Sequence, residues 1–163
     1  MKPQKYKVIH NFREKSKTMS FLKLSHIGWA VHSIDKAARS FELLGFSPCN
    51  GICEDTFRGV RILLMKDSFG NAIELVEPAK DGSPVSNLLQ KTGPAPYHVC
   101  FSASVRDYVS FAKKMQAEGF VELHKPEKVP ALGGSDVAFL YSRDIGLVEV
   151  VLDTESGTKE CAE

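Results

Sequence analysis

No apolar run in this 163-residue sequence approaches the roughly 20 residues that a helix needs to span a bilayer. A membrane is therefore not an expected partner. Cysteine is scarce, and Cys49, Cys53, Cys100 and Cys161 form no CxxC pair. No secretory hydrophobic region precedes them, so reduced thiols in a cytoplasmic protein are the expectation. Cys49 and Cys53, spaced CxxxC, lack the second half that a zinc site of this kind requires. An excess of charge is missing too. The 21 Lys+Arg face 20 Asp+Glu for a net +1, so the strongly basic composition that captures nucleic acid is absent. With 43% hydrophobic and 25% charged residues, the chain reads as globular rather than disordered. Its length suits one domain or two small ones.

What charge there is falls unevenly. Lys2, Lys5, Lys7, Arg13, Lys15 and Lys17 face one acid, Glu14, within residues 1–18, which leaves the rest of the chain at net −4. Residues 1–20 are expected to be a loosely attached basic extension, with Met19 as a second candidate start. Lysine in place of arginine, together with Glu14, makes a mitochondrial presequence the weaker reading. Residues 153–163 form a polar tail, expected to fray. The body between, residues 21–152, is expected to be one domain.

That body repeats itself. His26 reaches Asp35 nine residues later, and His98 reaches Asp107 in the same way. Each stretch runs into a helical pattern that ends in Gly-Phe, at Gly45-Phe46 and at Gly119-Phe120. Ile34, Ala37, Phe41 and Leu44 follow a cap at Ser33; Tyr108, Phe111, Ala112 and Met115 follow one at Ser104. The glycines suit the left-handed position just past a helix end. Downstream, Val60 to Asp67 matches Val137 to Asp144, turn glycines follow at Gly70 and Gly146, and a strand with an internal acid closes each half, at Glu74 and Glu149. The chain therefore reads as a tandem duplication of a strand–helix–strands module. Module one covers 21–78 and module two 97–152. A Gly- and Pro-rich linker, 79–96, separates them, with a short helix from Val85 to Lys91.

Duplication puts His at the start of the first strand and Glu in the last strand of both halves. Imidazole nitrogen and carboxylate oxygen suit a divalent transition metal. If the halves pack about a pseudo-twofold axis, His26, Glu74, His98 and Glu149 converge on it. Singly, such a His is more often structural and such a Glu more often solvated. Here, however, Ile73, Leu75 and Val76 surround Glu74, and Val148, Val150 and Val151 surround Glu149. A carboxylate in such a strand is costly without a compensating cation or donor. Glu77, three residues beyond Glu74, belongs to the opposite strand face.

The segments HIGWAV, GNAIELVEP, DGSPVSNLLQK, YHVCF and FLYSRDIGLVEVVL resemble the vicinal oxygen chelate superfamily (glyoxalase, bleomycin resistance protein, dioxygenase). The match is nearest to its methylmalonyl-CoA epimerase-like and glyoxalase branch and covers roughly residues 22–152. The resemblance implies an α+β fold of two tandem βαβββ modules forming one cupped, open-barrel mixed sheet with helices outside. It implies one divalent metal ion (Zn, Co, Ni or Mn) held by His26, Glu74, His98 and Glu149.

The expected activity is proton transfer next to a carbonyl through a metal-stabilised enediolate, as an isomerase or lyase resembling methylmalonyl-CoA epimerase or glyoxalase I. Glu149 is the first candidate base and Glu74 its partner. Expected substrates are acyl-CoA thioesters, hemithioacetals or other α-oxo compounds, and a homodimer is the assembly left open. An Fe(II) extradiol-type dioxygenase and a non-catalytic small-molecule binding or resistance protein are the alternatives. One departure stands out. Epimerases of this branch carry a second acid just before the Gly-Val that opens the third strand, and here Phe57 fills that place, with Glu54 and Asp55 as nearby substitutes. Arg58, Arg61, Lys66, Lys128 and Arg143 are candidates to hold a substrate anion, although surface solvation is their default reading. His32 and His124 are expected at the surface. Trp29, Phe101 and Cys100 are expected in the core.

Overall fold

The computed structural model describes residues 22–129 and 134–153. The basic extension, the loop 130–133 and the tail beyond 153 lie outside the described residues. The elements in chain order are β1 (Lys23–Ala30), α1 (Ile34–Leu43), β2 (Ser47–Pro48), β3 (Cys53–Asp55), β4 (Val60–Lys66) and β5 (Ala72–Pro78). They continue with α2 (Ser86–Thr92), β6 (Ala95–Ser104), α3 (Val105–Ala117), β7 (Val121–Val129), β8 (Ser135–Ser142) and β9 (Gly146–Asp153).

The strands form one open mixed sheet, in the order β2-β4-β5-β1-β6-β9-β8-β7, with β3 beside β4 as well. The order is a palindrome about the β1/β6 seam. In each half the first and last strands are parallel (β1 with β5, β6 with β9), while β1 and β6 meet antiparallel. At the seam Ile27 lies opposite Val99, flanked by His26 opposite Cys100 and Gly28 opposite His98. The pseudo-twofold axis of the duplication therefore passes through the Ile27/Val99 pair, and it sets the two histidines diagonally across the seam.

One part of the sequence match moves. Leu64 is the β4 partner of Glu74, and Phe139 is the β8 partner of Glu149. Phe139 is thus the counterpart of Leu64, two residues from where matching Val60 to Val137 puts it. A slip of two keeps every side chain on its own face of a strand, so the apolar pattern does not register it.

Helices α1 and α3 cover the outer face, whereas Leu89 of α2 and the preceding Val85 pack on Val60, Ile62 and Val76 of the inner one. Both caps read from the sequence form: the Ser33 hydroxyl accepts from the Lys36 N–H at 3.4 Å and the Ser104 hydroxyl from the Asp107 N–H at 3.2 Å. Glycines close the helices, with Gly45 at φ +91° and Gly119 at φ +88°. Behind α1, Ile34 and Ala38 pack on Leu63, Met65, Ile73 and Leu75; behind α3, Phe111 and Ala112 pack on Ala138, Leu140, Val148 and Val150. Glu77 points to this outer side, where its carboxylate accepts from the Ile34 N–H at the start of α1 and from Arg61 Nε at 2.6 Å. Trp29 packs edge-on against Phe41, and Phe101 lies against the α3 core, as expected of core residues. The rest of the inner face is left to the site.

Candidate metal centre

Alternation along β1, β5, β6 and β9 turns His26, Glu74, His98 and Glu149 to the inner face, and the sheet order sets these four strands side by side. All four residues are buried, and one donor atom from each lies within 4.8 Å of the others. This is the one such convergence of three or more His, Cys, Asp or Glu among the described residues. Cys49 and Cys53 take no part in it. Nε2 of His26 and Nε2 of His98 are 3.3 Å apart. Oε2 of Glu149 lies 3.2 and 3.0 Å from them, and Oε2 of Glu74 lies 3.8 Å from each.

The spacings among His26, His98 and Glu149 fit a shared cation, and Glu74 stands a few tenths of an ångström farther out. Metal–ligand bonds of about 2.1 Å put neighbouring donors about 3.0–3.5 Å apart. Oε2 of Glu149 is buried and makes no hydrogen bond of good geometry, although both imidazole nitrogens stand within 3.2 Å of it. A buried carboxylate oxygen left so costs several kcal/mol, on the order of 1–3 or more, and a cation removes that cost. The Ser25 hydroxyl is 3.2 Å from Nδ1 of His26, which turns Nε2 inward. Nδ1 of His98 has no hydrogen-bond partner. Its ring is placed by shape instead: it lies over Gly28, where a Cβ would come within 2.0 Å of it.

The electrostatics without a cation separate the two carboxylates. Burial and the neighbouring Glu149 charge raise the pKa of Glu74, against the pull of His26, His98 and Arg58. Burial would raise Glu149 too, but the two imidazoles outweigh it and hold that carboxyl well below its usual range. Burial opposes a charged His26, yet Glu149 and Glu74 prevail and raise it. Cys100, opposite His26, is kept a thiol by burial and by the two carboxylates. Glu149 is therefore the group that stays ionised.

Glu74 and Glu149 line a cavity of about 560 Å³, with the two histidines buried beside them. Val60, Ile62, Val76, Val85, Tyr97 and Phe139 give it apolar walls; Arg58, Lys80, His124 and Glu127 contribute polar ones. Two of these positions, His124 and Arg58, differ from the sequence reading, which did not single out Tyr97. Tyr97 enters through a β-bulge: Gly28 pairs with His98, but Trp29 pairs with Pro96. The extra residue lets Tyr97 and His98 both face the inner side of the sheet, Tyr97 at the cavity wall. Burial, then the Glu74 and Glu149 charges, keeps its hydroxyl protonated. His124 was expected at the surface, but register shifts on β7 bring it half-buried to the cavity wall. Arg58 also faces the cavity rather than solvent. By contrast Arg61 is tied to Glu77, Lys128 is a surface partner of Asp136 at 3.6 Å, and His32 and Arg143 are exposed.

The substitutes for a second acid do not serve. Phe57 is 75% exposed and Glu54 faces solvent. Asp55 is buried, but Oδ1 takes the Arg58 N–H at 2.9 Å and Oδ2 takes Arg58 Nη1 at 2.8 Å. Its charge is spent on holding that arginine.

Known proteins share this architecture. The Cereibacter sphaeroides ethylmalonyl-CoA/methylmalonyl-CoA epimerase is 26% identical over 132 residues, which is 78% of this chain and 96% of that protein. A hypothetical protein from Bacillus halodurans C-125 superposes with a TM-score of 0.70 at 27% identity, covering 83% of this chain and 97% of its own. The Streptomyces coelicolor methylmalonyl-CoA epimerase, solved with 2-nitronate-propionyl-CoA, gives a TM-score of 0.67 at 26% identity, covering 82% and 97%. The family model for the Glyoxalase/Bleomycin resistance protein/Dioxygenase superfamily matches residues 25–139, well over half of the sequence. With its palindromic sheet and its site at the seam of two repeats, this chain belongs to that superfamily, near the methylmalonyl-CoA epimerase branch.

Proposed function

We propose that this protein is a metal-dependent enzyme of the isomerase or lyase type that moves a proton on the carbon next to a carbonyl. The observation that carries this reading is the convergence of two His and two Glu, whose two carboxylates line a cavity of substrate size. His26, Glu74, His98 and Glu149 would hold one divalent ion, of the Zn, Co, Ni or Mn kind. When bound, such an ion stabilises negative charge developing on a substrate oxygen.

The chain's own residues do the rest. The apolar walls exclude water from the acyl group and strengthen every charge interaction inside. Glu149, ionised and facing the cavity, is the group that takes the α-proton and returns it. Glu74, the carboxyl more easily protonated, is its partner. Four converging donors set the site apart from the arrangement of two His and one carboxylate used by oxygen-activating iron enzymes.

The names of the relatives favour acyl-CoA thioesters as substrates, with hemithioacetals and other α-oxo compounds as the wider class. With Phe57 exposed and Asp55 engaged, no second acid stands opposite Glu149 at the position where epimerases carry one. Exchange through a single face, with Glu149 as the base, is the reaction that this geometry favours. The test is solvent deuterium incorporation into a panel of acyl-CoA thioesters and hemithioacetals by the metal-loaded protein. Incorporation that disappears in Glu149→Gln is the expected result. No incorporation into any member of the panel would overturn the proposal.

A further inference from the structure

Arg58 is built into the cavity more firmly than a surface cation. Its side chain is only 15% exposed, and its partner carboxylate on Asp55 is 1% exposed. The guanidinium carbon lies 5.6 Å from the ring centre of Phe139 and 5.9 Å from that of Phe57, so the group is flanked by two aromatic rings. Asp55 takes Nη1 and the backbone N–H. Nη2 is left over: it is buried and makes no hydrogen bond. Oε2 of Glu127 stands 3.7 Å from it, close enough for an ion pair but beyond hydrogen-bond reach.

A buried, charged donor without an acceptor is costly unless something arrives to meet it. Its position shows what can arrive. Arg58 lines the same cavity as Glu74 and Glu149. The Phe139 ring that flanks it also meets the His98 ring, with centres 6.1 Å apart, which puts the guanidinium carbon at most about 12 Å from that imidazole. Lys80 lines the same wall, its stem lying across Gly59, where a Cβ would come within 2.2 Å of it.

We propose that Nη2 of Arg58 is the specificity-determining donor of this cavity and receives one oxygen of a carboxylate on the acyl portion of the ligand. The proposal rests on the reading that acyl compounds occupy the cavity. One free donor suits a monoanion. A dianionic phosphate would face Asp55, Glu74, Glu127 and Glu149 around the same space. The carboxylate that Nη2 selects is therefore part of the group that enters the cavity, not of a phosphorylated carrier.

The test uses full-length protein stripped with a chelator, so that no cation competes for the carboxylate. Methylmalonyl-CoA against propionyl-CoA, and succinyl-CoA against butyryl-CoA, are titrated calorimetrically. Within each pair the ligands differ by one carboxylate. Wild-type protein is expected to prefer the carboxylated member of at least one pair by about tenfold or more. Arg58→Gln is expected to shrink that preference below about threefold while leaving unchanged the affinity of the member without the acyl carboxylate. Because Arg58→Gln leaves Asp55 buried and unpaired, the double variant Arg58→Gln with Asp55→Asn is measured beside it and should give the same result. Equal binding within both pairs would overturn the proposal. So would equal weakening of all four ligands by Arg58→Gln, which would mean that Arg58 reads the phosphates of coenzyme A. A preference that depends on Arg58, in a protein that exchanges no deuterium, would sink the proposed reaction and leave this assignment standing.

Discussion

A Cβ on Gly28 would lie 2.0 Å from Cε1 and 2.4 Å from Nε2 of His98. Gly28 is the strand neighbour of both Glu74 and His98, so its missing side chain is the space that the second histidine fills. In the other half the position across from His26 holds Cys100, with a small thiol. The two histidines are thus related by the repeat but seated differently.

Gly28→Ala is expected to push the His98 ring out of line while the strand stays paired, since Gly28 is not among the glycines with positive φ. Divalent metal affinity should fall by about tenfold or more, the scale on which misplaced ligands weaken a site. Circular dichroism should remain that of the folded protein. Calorimetric titration with Zn(II) reads the effect, and an unchanged affinity would show that His98 does not need this space.

Glu77 separates structure from chemistry. It is buried like Glu74 but faces outward, where it accepts from the first N–H of α1 and from Arg61. Glu77→Gln should lower stability by about 1–3 kcal/mol in urea denaturation, with metal content unchanged. Loss of metal in this variant would place Glu77 at the site, against the alternation of β5.

Tyr108 couples α3 to β7 by donating its hydroxyl to Glu122. Burial, then the hydrogen bond to Glu122 and its charge, raises the phenol above its ordinary value of 10.0. A folded-state pKa above the unfolded one contributes stability that is complete below pH 10 and is lost as pH rises through the folded value. Wild-type protein should therefore lose stability relative to Tyr108→Phe as pH rises above 10. Paired denaturation curves at pH 8 to 11.5 check this, and parallel curves would contradict it.

The repeat made much of this legible from sequence. Two His–Asp strand starts, two Gly-Phe helix ends and two acids in apolar strands show one module used twice, and the caps at Ser33 and Ser104 form as read. The linker helix appears at Ser86–Thr92, within a residue of its expected span. What stayed hidden depends on register. A two-residue slip left Leu64 and Phe139 unmatched because strand alternation is blind to even shifts. Tyr97 and His124 reach the cavity through bulges, which put neighbouring residues on one face and leave little trace in a hydrophobic pattern. Arg58 reads like any loop arginine until the folded chain sets Asp55 beneath it and Phe139 beside it. Gly28 carried no signal either, because its reason lies on a strand 70 residues away.

The central claim is that His26, Glu74, His98 and Glu149 hold one metal ion. Chelator-stripped protein is incubated with Zn(II), Mn(II), Co(II) or Ni(II), freed of excess by gel filtration and analysed for metal. One ion per chain is predicted for at least one of these metals, with a higher melting temperature than the stripped protein, because an ion that binds only the folded state stabilises it. His98→Ala and Glu149→Ala should retain less than about a tenth of that content. Wild-type protein that holds none of the four metals, or a His98→Ala variant that holds as much as wild type, would contradict the account.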